Sequence, residues 1–396
     1  FKSVRLSLFI TFVQNFRMAG KSAFKTIIHQ IHLCLGLASG IVVFIVAITG
    51  CIFTFHDELK DIFYDYRFVV PQDSVFIAPS FLLKKANNFQ PDVEASMVVY
   101  NGDTRPATVS ITENGTNFLL NFNPYTGKLI KKVNLDTEFF SIIEELHMYL
   151  LLPQHIGKQI VGISTVIFVV LLLSGIVLWW PKKIKYLKQR LSVKWHARWR
   201  RINYDWHNVT GFYTSVIAVI LAITGLTFVY KPVHDAFYLV ANLGERYESD
   251  FFTSAVKKPA ENKQYQQKAI DLAFQQTRKL QPNSGMYFVW KQDDSSPIIT
   301  GAYPKSLHFD HQSNYQFHPK TGELLYQSGY SSKSAGLQLQ EMMYGLHTGQ
   351  YFRLWGKIIA FLCSLFVAAL PITGFYIWYG RKFKKPKRKP KIAKIA

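Results

Sequence analysis

Two histidines stand at equivalent places in near-identical surroundings. His32 lies at the head of "IHLCLGLASGIVVFIVAITG" (31–50) and His207 at the head of "WHNVTGFYTSVIAVILAITG" (206–225), each at the same spacing ahead of the same Ala-Ile-Thr-Gly. A second pair recurs as "ELHMYL" around His147 and "GLHTGQ" around His347. Imidazole is a neutral nitrogen ligand, and two imidazoles on opposite sides of a planar macrocycle are what a six-coordinate haem iron requires. A bis-histidine pair alone lacks the further ligands that zinc or copper takes. Glu144, Glu145 and Glu341 lie near the second pair in the chain, so a carboxylate–histidine metal site is the alternative there. Met342 and Met343 offer sulfur to iron, but Met343 has no methionine counterpart in the first half.

The elements that must position these rings are apolar helices. The chain of 396 residues is 49% hydrophobic with a mean hydropathy of only +0.06, so its apolar residues are concentrated. Four stretches, 33–55, 160–180, 209–230 and 358–379, match the roughly 20 residues that cross a bilayer core. The first is too long for a signal peptide and has no small-residue cleavage site on its flank, so it is expected to be a retained helix. The residues up to Met18 are expected to be an upstream extension without a fold of their own. Segment 1–31 holds five basic residues and no acid, loop 181–206 nine basics and one acid, Asp205, and tail 381–396 nine basics and no acid. By the positive-inside rule both termini and the middle loop face the cytoplasm. The net charge of +21 is thereby assigned to topology and to contact with anionic membrane lipid. The Pro-broken tail lacks interleaved aromatic residues, and no nucleic acid is expected as a partner.

The predicted organisation is a cytoplasmic N-terminal segment (1–31), transmembrane helix 1 (32–56), a first extracytoplasmic module (57–145), transmembrane helix 2 (146–180), a basic loop (181–206), transmembrane helix 3 (207–231), a second module (232–345), transmembrane helix 4 (346–380) and a basic tail (381–396). The two halves repeat. "FNPYTGKL" (122–129) matches "FHPKTGEL" (317–324), and "SGIVLWWPKK" (174–183) matches "TGFYIWYGRK" (373–382). The predicted fold class is therefore a membrane α-helical protein of four transmembrane helices in two parallel repeats, related by a pseudo-two-fold axis along the membrane normal, with two extracytoplasmic α/β modules.

Such an axis selects among the twelve histidines. His32 falls opposite His207, and His147 opposite His347. His29 falls opposite Tyr204 and His56 opposite Lys231, although a short slip would match His56 with His234; the remaining histidines have no counterpart. His32, Gly36 and Gly40 share one helix face, as do His207, Gly211 and Ser215, so Gly36 and Gly211 are expected to admit the macrocycle. The same spacing of small residues also serves helix packing in membranes. Ionisable groups inside spans are functional by default.

Each module reads as a helix followed by strands: "APSFLLKKANNF" (78–89) before strands around 95–102, 106–115 and 117–133, with a turn at Thr126–Gly127, and a helix over 261–280 before strands at 284–292, 296–304 and 314–329. Neither carries a Ser-His-Asp, HExxH or P-loop constellation. Cys34, Cys51 and Cys363 all fall in apolar spans, which leaves packing and no disulfides.

The order of these features, "IHLCLGLASGIVVFIVAITGCIFTFHDEL", the "NPYTGK" and "HPKTGE" turns, and the "LH…GK…SGIVLWWPKK" pattern repeated as "LHTGQYFRLWGK…TGFYIWYGRK", resembles the PepSY-associated transmembrane helix family from about residue 27 to 382. The resemblance implies a bacterial inner-membrane ferrisiderophore reductase of the ferrioxamine-reductase type, with four spans, two periplasmic PepSY modules and b-type haem, two by the number of histidine pairs. Carried over, the haem ligands are His32, His207, His147 and His347. Leu33–Cys34 and Asn208–Val209 follow the first two where the family's LHRWLG-like pattern often has an Arg, so a propionate contact is not expected from that position, while the ligands are unaffected.

The implied activity is electron transfer from the cytoplasmic side to a ferric siderophore outside, released because hard oxygen ligands hold ferric iron far better than ferrous. No GxGxxG follows a strand and the middle loop cannot house a flavin or nicotinamide domain, so the donor is external, a quinol or a soluble flavin reductase. The rival function is a PepSY-type binding or regulatory membrane protein, a peptidase inhibitor or sensor without redox activity. A permease is disfavoured by the lack of ionisable coupling residues within the spans. From His32 to His56 the first helix rises about 36 Å at 1.5 Å per residue, so approach of two haems calls for tilted helices or an inward fold of the His147 segment at Pro153.

Overall fold

The computed structural model describes residues 21–89, 95–254, 263–293 and 295–383. The extension up to Met18, the first residues of the helix expected over 261–280 and the basic tail from 384 onward lie outside them.

Helix α1 (Lys21–Thr54) is unbroken and holds no acidic residue; the short α2 (His56–Phe63) and α3 (Pro79–Asn87) follow. Strands β1 (Met97–Tyr100), β2 (Ala107–Glu113), β3 (Thr116–Phe122) and β4 (Leu129–Asn134) lead to α4 (Phe139–Tyr149) and α5 (Gln154–Trp179). A single turn, α6 (Leu187–Arg190), precedes α7 (Trp199–Val229) and α8 (Lys231–Ala241). The pattern then recurs as α9 (Lys263–Leu280), β5 (Met286–Lys291), β6 (Ile298–Tyr303), β7 (Ser313–Phe317), β8 (Leu324–Ser328), α10 (Ala335–Thr348) and α11 (Arg353–Lys382). Among the described residues α1, α5, α7 and α11 are the four helices long and apolar enough to cross a membrane, with mean hydropathies of 2.1 to 2.8 over their spans. The chain is a multi-pass membrane protein.

It divides into two compact units. The first takes α1 up to Ile48, α5 from Gln159, α7 up to Ile223 and α11 from Leu362. Its core is made of small and medium side chains, among them Val43, Ala47, Leu172, Ala218 and Ala368, while Ile41, Leu173 and Val216 point outward, as a lipid solvent permits. Cys363 is buried there and donates to the Thr214 carbonyl at 3.7 Å. Cys34 departs from the packing role expected of it: it is exposed on α1.

The second unit, 49–158 with 224–361, contains a feature the sequence did not suggest. In place of two separate sheets there is one antiparallel sheet of eight strands, ordered β4-β3-β2-β1-β5-β6-β7-β8. The halves join where β1 pairs β5, Val98 opposite Val289 and Tyr100 opposite Tyr287. Two open strand edges are thereby satisfied against each other. Helices α3 and α9 cover one face, burying Leu82, Tyr100, Phe122, Phe274, Val289 and Phe317. They are tied together where Ser80 donates through its backbone N and its Oγ to Asp271, at 2.9 and 2.6 Å.

The spans expected at 146–180 and 346–380 are each interrupted. Helix α4 ends at Leu150, in the left-handed region at φ 57°, and α5 begins after Pro153. Helix α10 ends likewise at Gly349, φ 76°, before α11. The two "GK" glycines of the repeat make these sharp turns possible. A Cβ on Gly157 would collide with the Tyr149 carbonyl, and one on Gly356 with the Gly349 carbonyl. His147 and His347 therefore sit at the ends of separate short helices, outside the long ones.

Near the start of this unit Asp61 on α2 accepts from Arg105 at 2.9 and 2.6 Å and from Arg67 Nε at 2.6 Å. Burial pushes its carboxyl upward, but the two guanidinium groups outweigh that and hold it below its ordinary 3.8. A depressed carboxylate pKa adds stability above the unfolded value, and this is lost as pH falls through the folded value. Asp61→Asn should lower the melting temperature at neutral pH, and thermal scans in detergent down to about pH 2 should show the wild-type advantage vanish below the folded pKa of Asp61.

Candidate functional site

The first unit encloses a cavity of about 560 Å³ between its four helices. His32 of α1 and His207 of α7 both line it. His32 Nδ1 lies 2.9 Å from Ser174 Oγ on α5, and His207 Nδ1 lies 2.8 Å from Thr373 Oγ1 on α11. Each hydroxyl proton is already committed within its own helix, Ser174 donating to Leu171 O at 3.1 Å and Thr373 to Ala369 O at 2.9 Å. With those protons on the carbonyls, both hydroxyls accept from the imidazole, an assignment that places the proton on Nδ1 and the lone pair on Nε2. That is the tautomer of a metal-ligating histidine oriented by a second group.

The second unit repeats the arrangement. His147, near the end of α4, and His347, near the end of α10, stand with ring centroids 6.0 Å apart and planes at 63°. His147 Nδ1 lies 3.1 Å from Thr49 Oγ1 and His347 Nδ1 3.1 Å from Thr224 Oγ1. Helix α4 is held by its N-cap Glu138, which accepts from Ser141 N at 2.8 Å and from Tyr64 OH at 3.2 Å and pairs with Lys60 at 3.4 Å. Helix α10 is held at Gly336, whose N donates to Asn242 Oδ1 at 2.7 Å and where a Cβ would strike Tyr238 O.

In every span a hydroxyl residue next to a glycine receives a histidine: Thr49–Gly50, Ser174–Gly175, Thr224–Gly225 and Thr373–Gly374. A Cβ on these glycines would come within 3.3, 3.5, 3.0 and 3.2 Å of the Cε1 of His147, His32, His347 and His207. Sequence reasoning treated these dipeptides as landmarks of the repeat; their recurrence once in each span was the signal for their role. Gly36 and Gly211, singled out from the sequence, do line the cavity, where added Cβ atoms would make ordinary contacts of 3.9 and 3.7 Å with Leu171 and Leu370.

The other candidates have other partners. His29 lines the same cavity as His32, its Nε2 accepting from Arg381 at 3.1 Å. His56 stacks on Phe53 and bonds the Phe53 carbonyl at 2.7 Å; burial lowers its pKa. His234 is bound to Gln340 at 3.0 Å. The carboxylate–histidine alternative is not assembled: among the described residues no three of His, Cys, Asp and Glu gather as metal ligands. Glu341 is instead paired with Lys333, and Met343 is buried.

The donor sets fit a metal macrocycle. His147 and His347 stand edge to face at 6.0 Å, each with Nδ1 at a threonine hydroxyl, and would be the residues to hold such a group there. For His32 and His207 the fit rests on the tautomer, the apolar walls and a cavity volume within the range of small-molecule sites.

Four spanning helices, two histidine pairs that each meet hydroxyls of the spans, and an eight-stranded sheet define a class of multi-pass membrane protein. The chain belongs to the PepSY-associated TM region family, whose model matches residues 29–381. Among curated proteins none matches it.

The glycine contacts differ enough to be tested. Gly225→Ala and Gly374→Ala should displace their histidines by a few tenths of an ångström and weaken the Nδ1 bonds, whereas Gly36→Ala should leave the imidazole of His32 undisturbed. Side-chain ¹⁵N shifts of labelled histidines would register the first two changes and not the third.

Proposed function

We propose that the protein is a haem-containing reductase of the bacterial inner membrane, taking electrons from a quinol or a cytoplasmic flavin reductase and delivering them to a ferric siderophore in the periplasm, with release of ferrous iron. The observation that carries this is the pairing of four histidines in two sites, each ring held at Nδ1 by a hydroxyl from a span. Membership of a family linked to iron reduction supports the reaction class, and the basic segments 1–31, 181–206 and 381–396 support the orientation, with the sheet outside.

In this proposal His32 with His207, and His147 with His347, each hold one haem b. Bound there, haem supplies reversible one-electron chemistry. The chain's own contribution is orientation and exclusion. Ser174 and Thr373 keep the imidazole protons on Nδ1, and the apolar walls exclude water.

The purified protein should carry two b-type haems with low-spin, six-coordinate spectra. His32→Ala or His207→Ala should each remove one haem, and His147→Ala or His347→Ala the other, measured as pyridine haemochromogen per chain. Ser174→Ala and Thr373→Ala should retain the haem of His32 and His207, the inner haem, with affinity weakened about 10–100-fold. Anaerobic reduction followed by addition of a ferric chelate should restore the oxidised spectrum. A colourless protein from haem-replete cells would instead favour the binding or regulatory function.

A further inference from the structure

The cavity of His32 and His207 is apolar along its walls and cationic at one end. Arg381 and Lys382, in the last turn of α11, both line it, and among the described residues no Asp or Glu does. Among the described residues neither cation has a carboxylate partner. Arg381 Nη1 donates to His29 Nε2 at 3.1 Å, and its guanidinium stands 5.8 Å from the Tyr204 ring. The Lys382 ammonium lies over the Trp378 ring at 5.0 Å. Basic residues in a last helical turn suit the helix dipole, but that role does not require them to line a cavity.

An apolar slot with two ring nitrogens along it and two cations without counter-ions at its end is complementary to a planar, mostly apolar ligand whose acidic groups lie on one edge. Both residues are exposed at the end of α11 as well as lining the cavity, within reach of an acidic group on the ligand's edge. Guanidinium binds carboxylate in a bidentate fork, and ammonium binds it as a point charge. His29 accepts one guanidinium N–H and steadies the group while leaving its other donors available.

We infer that Arg381 and Lys382 bind the two carboxylates of the macrocycle held by His32 and His207, with His29 as a positioning residue for Arg381. The inference rests on the haem reading above. It fixes the edge of the ligand that points toward the C-terminal end of α11, and it gives His29 a part that is not ligation.

The test uses full-length holoprotein carrying His147→Ala, so that only the inner haem remains, and measures haem transfer to excess apomyoglobin and the reduction potential by spectroscopic titration. Arg381→Gln with Lys382→Gln should speed haem loss about tenfold or more and lower the potential, since positive charge favours the reduced centre. Arg381→Lys should fall between, and Lys185→Gln, a cation that does not line the cavity, should match the parent. His29→Ala should keep its haem but lose it faster than the parent. Unchanged loss and potential in the double variant, with normal haem content, would overturn the inference and leave the function standing. So would equal acceleration by Lys185→Gln, or a loss of bound anionic lipid with no change at the haem, which would make the cations a lipid headgroup site. Absence of haem from the wild type itself would overturn the underlying reading instead.

Discussion

A histidine inside an apolar helix must dispose of one N–H, and the rest of this structure is arranged around how that is done. An unpartnered N–H in such surroundings costs about 1–3 kcal/mol. Here each of four imidazoles has a serine or threonine hydroxyl of a spanning helix within 3.1 Å of Nδ1. A hydroxyl suits this because its own proton can be absorbed by a carbonyl one turn back, as Ser174 and Thr373 do. The adjacent glycine lets the ring approach to contact distance. In the first unit this one interaction sets which nitrogen keeps the lone pair, how the ring is turned, and how closely two helices must pass.

Much of this was legible in the sequence, and the part that was not has a physical reason. The four spans announce themselves by length and apolar composition, because a bilayer demands both. The choice of His32, His207, His147 and His347 followed from the repeat, and the structure brings His147 and His347 to 6.0 Å and puts His32 and His207 on one cavity. The partner of each ring was not legible. Thr49 lies on α1, the helix that carries His32, yet its hydroxyl meets His147, while His32 meets Ser174. Linear spacing reports the period of a repeat and says nothing of which neighbouring helix a side chain reaches. For the same reason His29 was set aside as a residue without a counterpart, although it lines the cavity through its position one turn before His32.

The sheet shows the same limit at a larger scale. Alternation and turn residues reveal strands, since those signals are local. The pairing of β1 with β5 joins residues almost two hundred positions apart, and no local pattern encodes it. What foreshadows it is an edge problem: a four-stranded module with Val98 and Tyr100 on its rim, duplicated, has a ready partner for that rim in its own copy.

That pairing bears directly on the second histidine pair. Helix α4 leaves the sheet after β4 and α10 leaves it after β8, the two outermost strands. His147 and His347 thus follow opposite edges of one continuous sheet, yet their rings stand 6.0 Å apart, so it is the return of α4 and α10 toward Thr49 and Thr224, and not the width of the sheet, that brings them together. Each ring keeps its own threonine, the seam joins the two modules that carry them into one unit, and the two imidazoles meet edge to face at 6.0 Å.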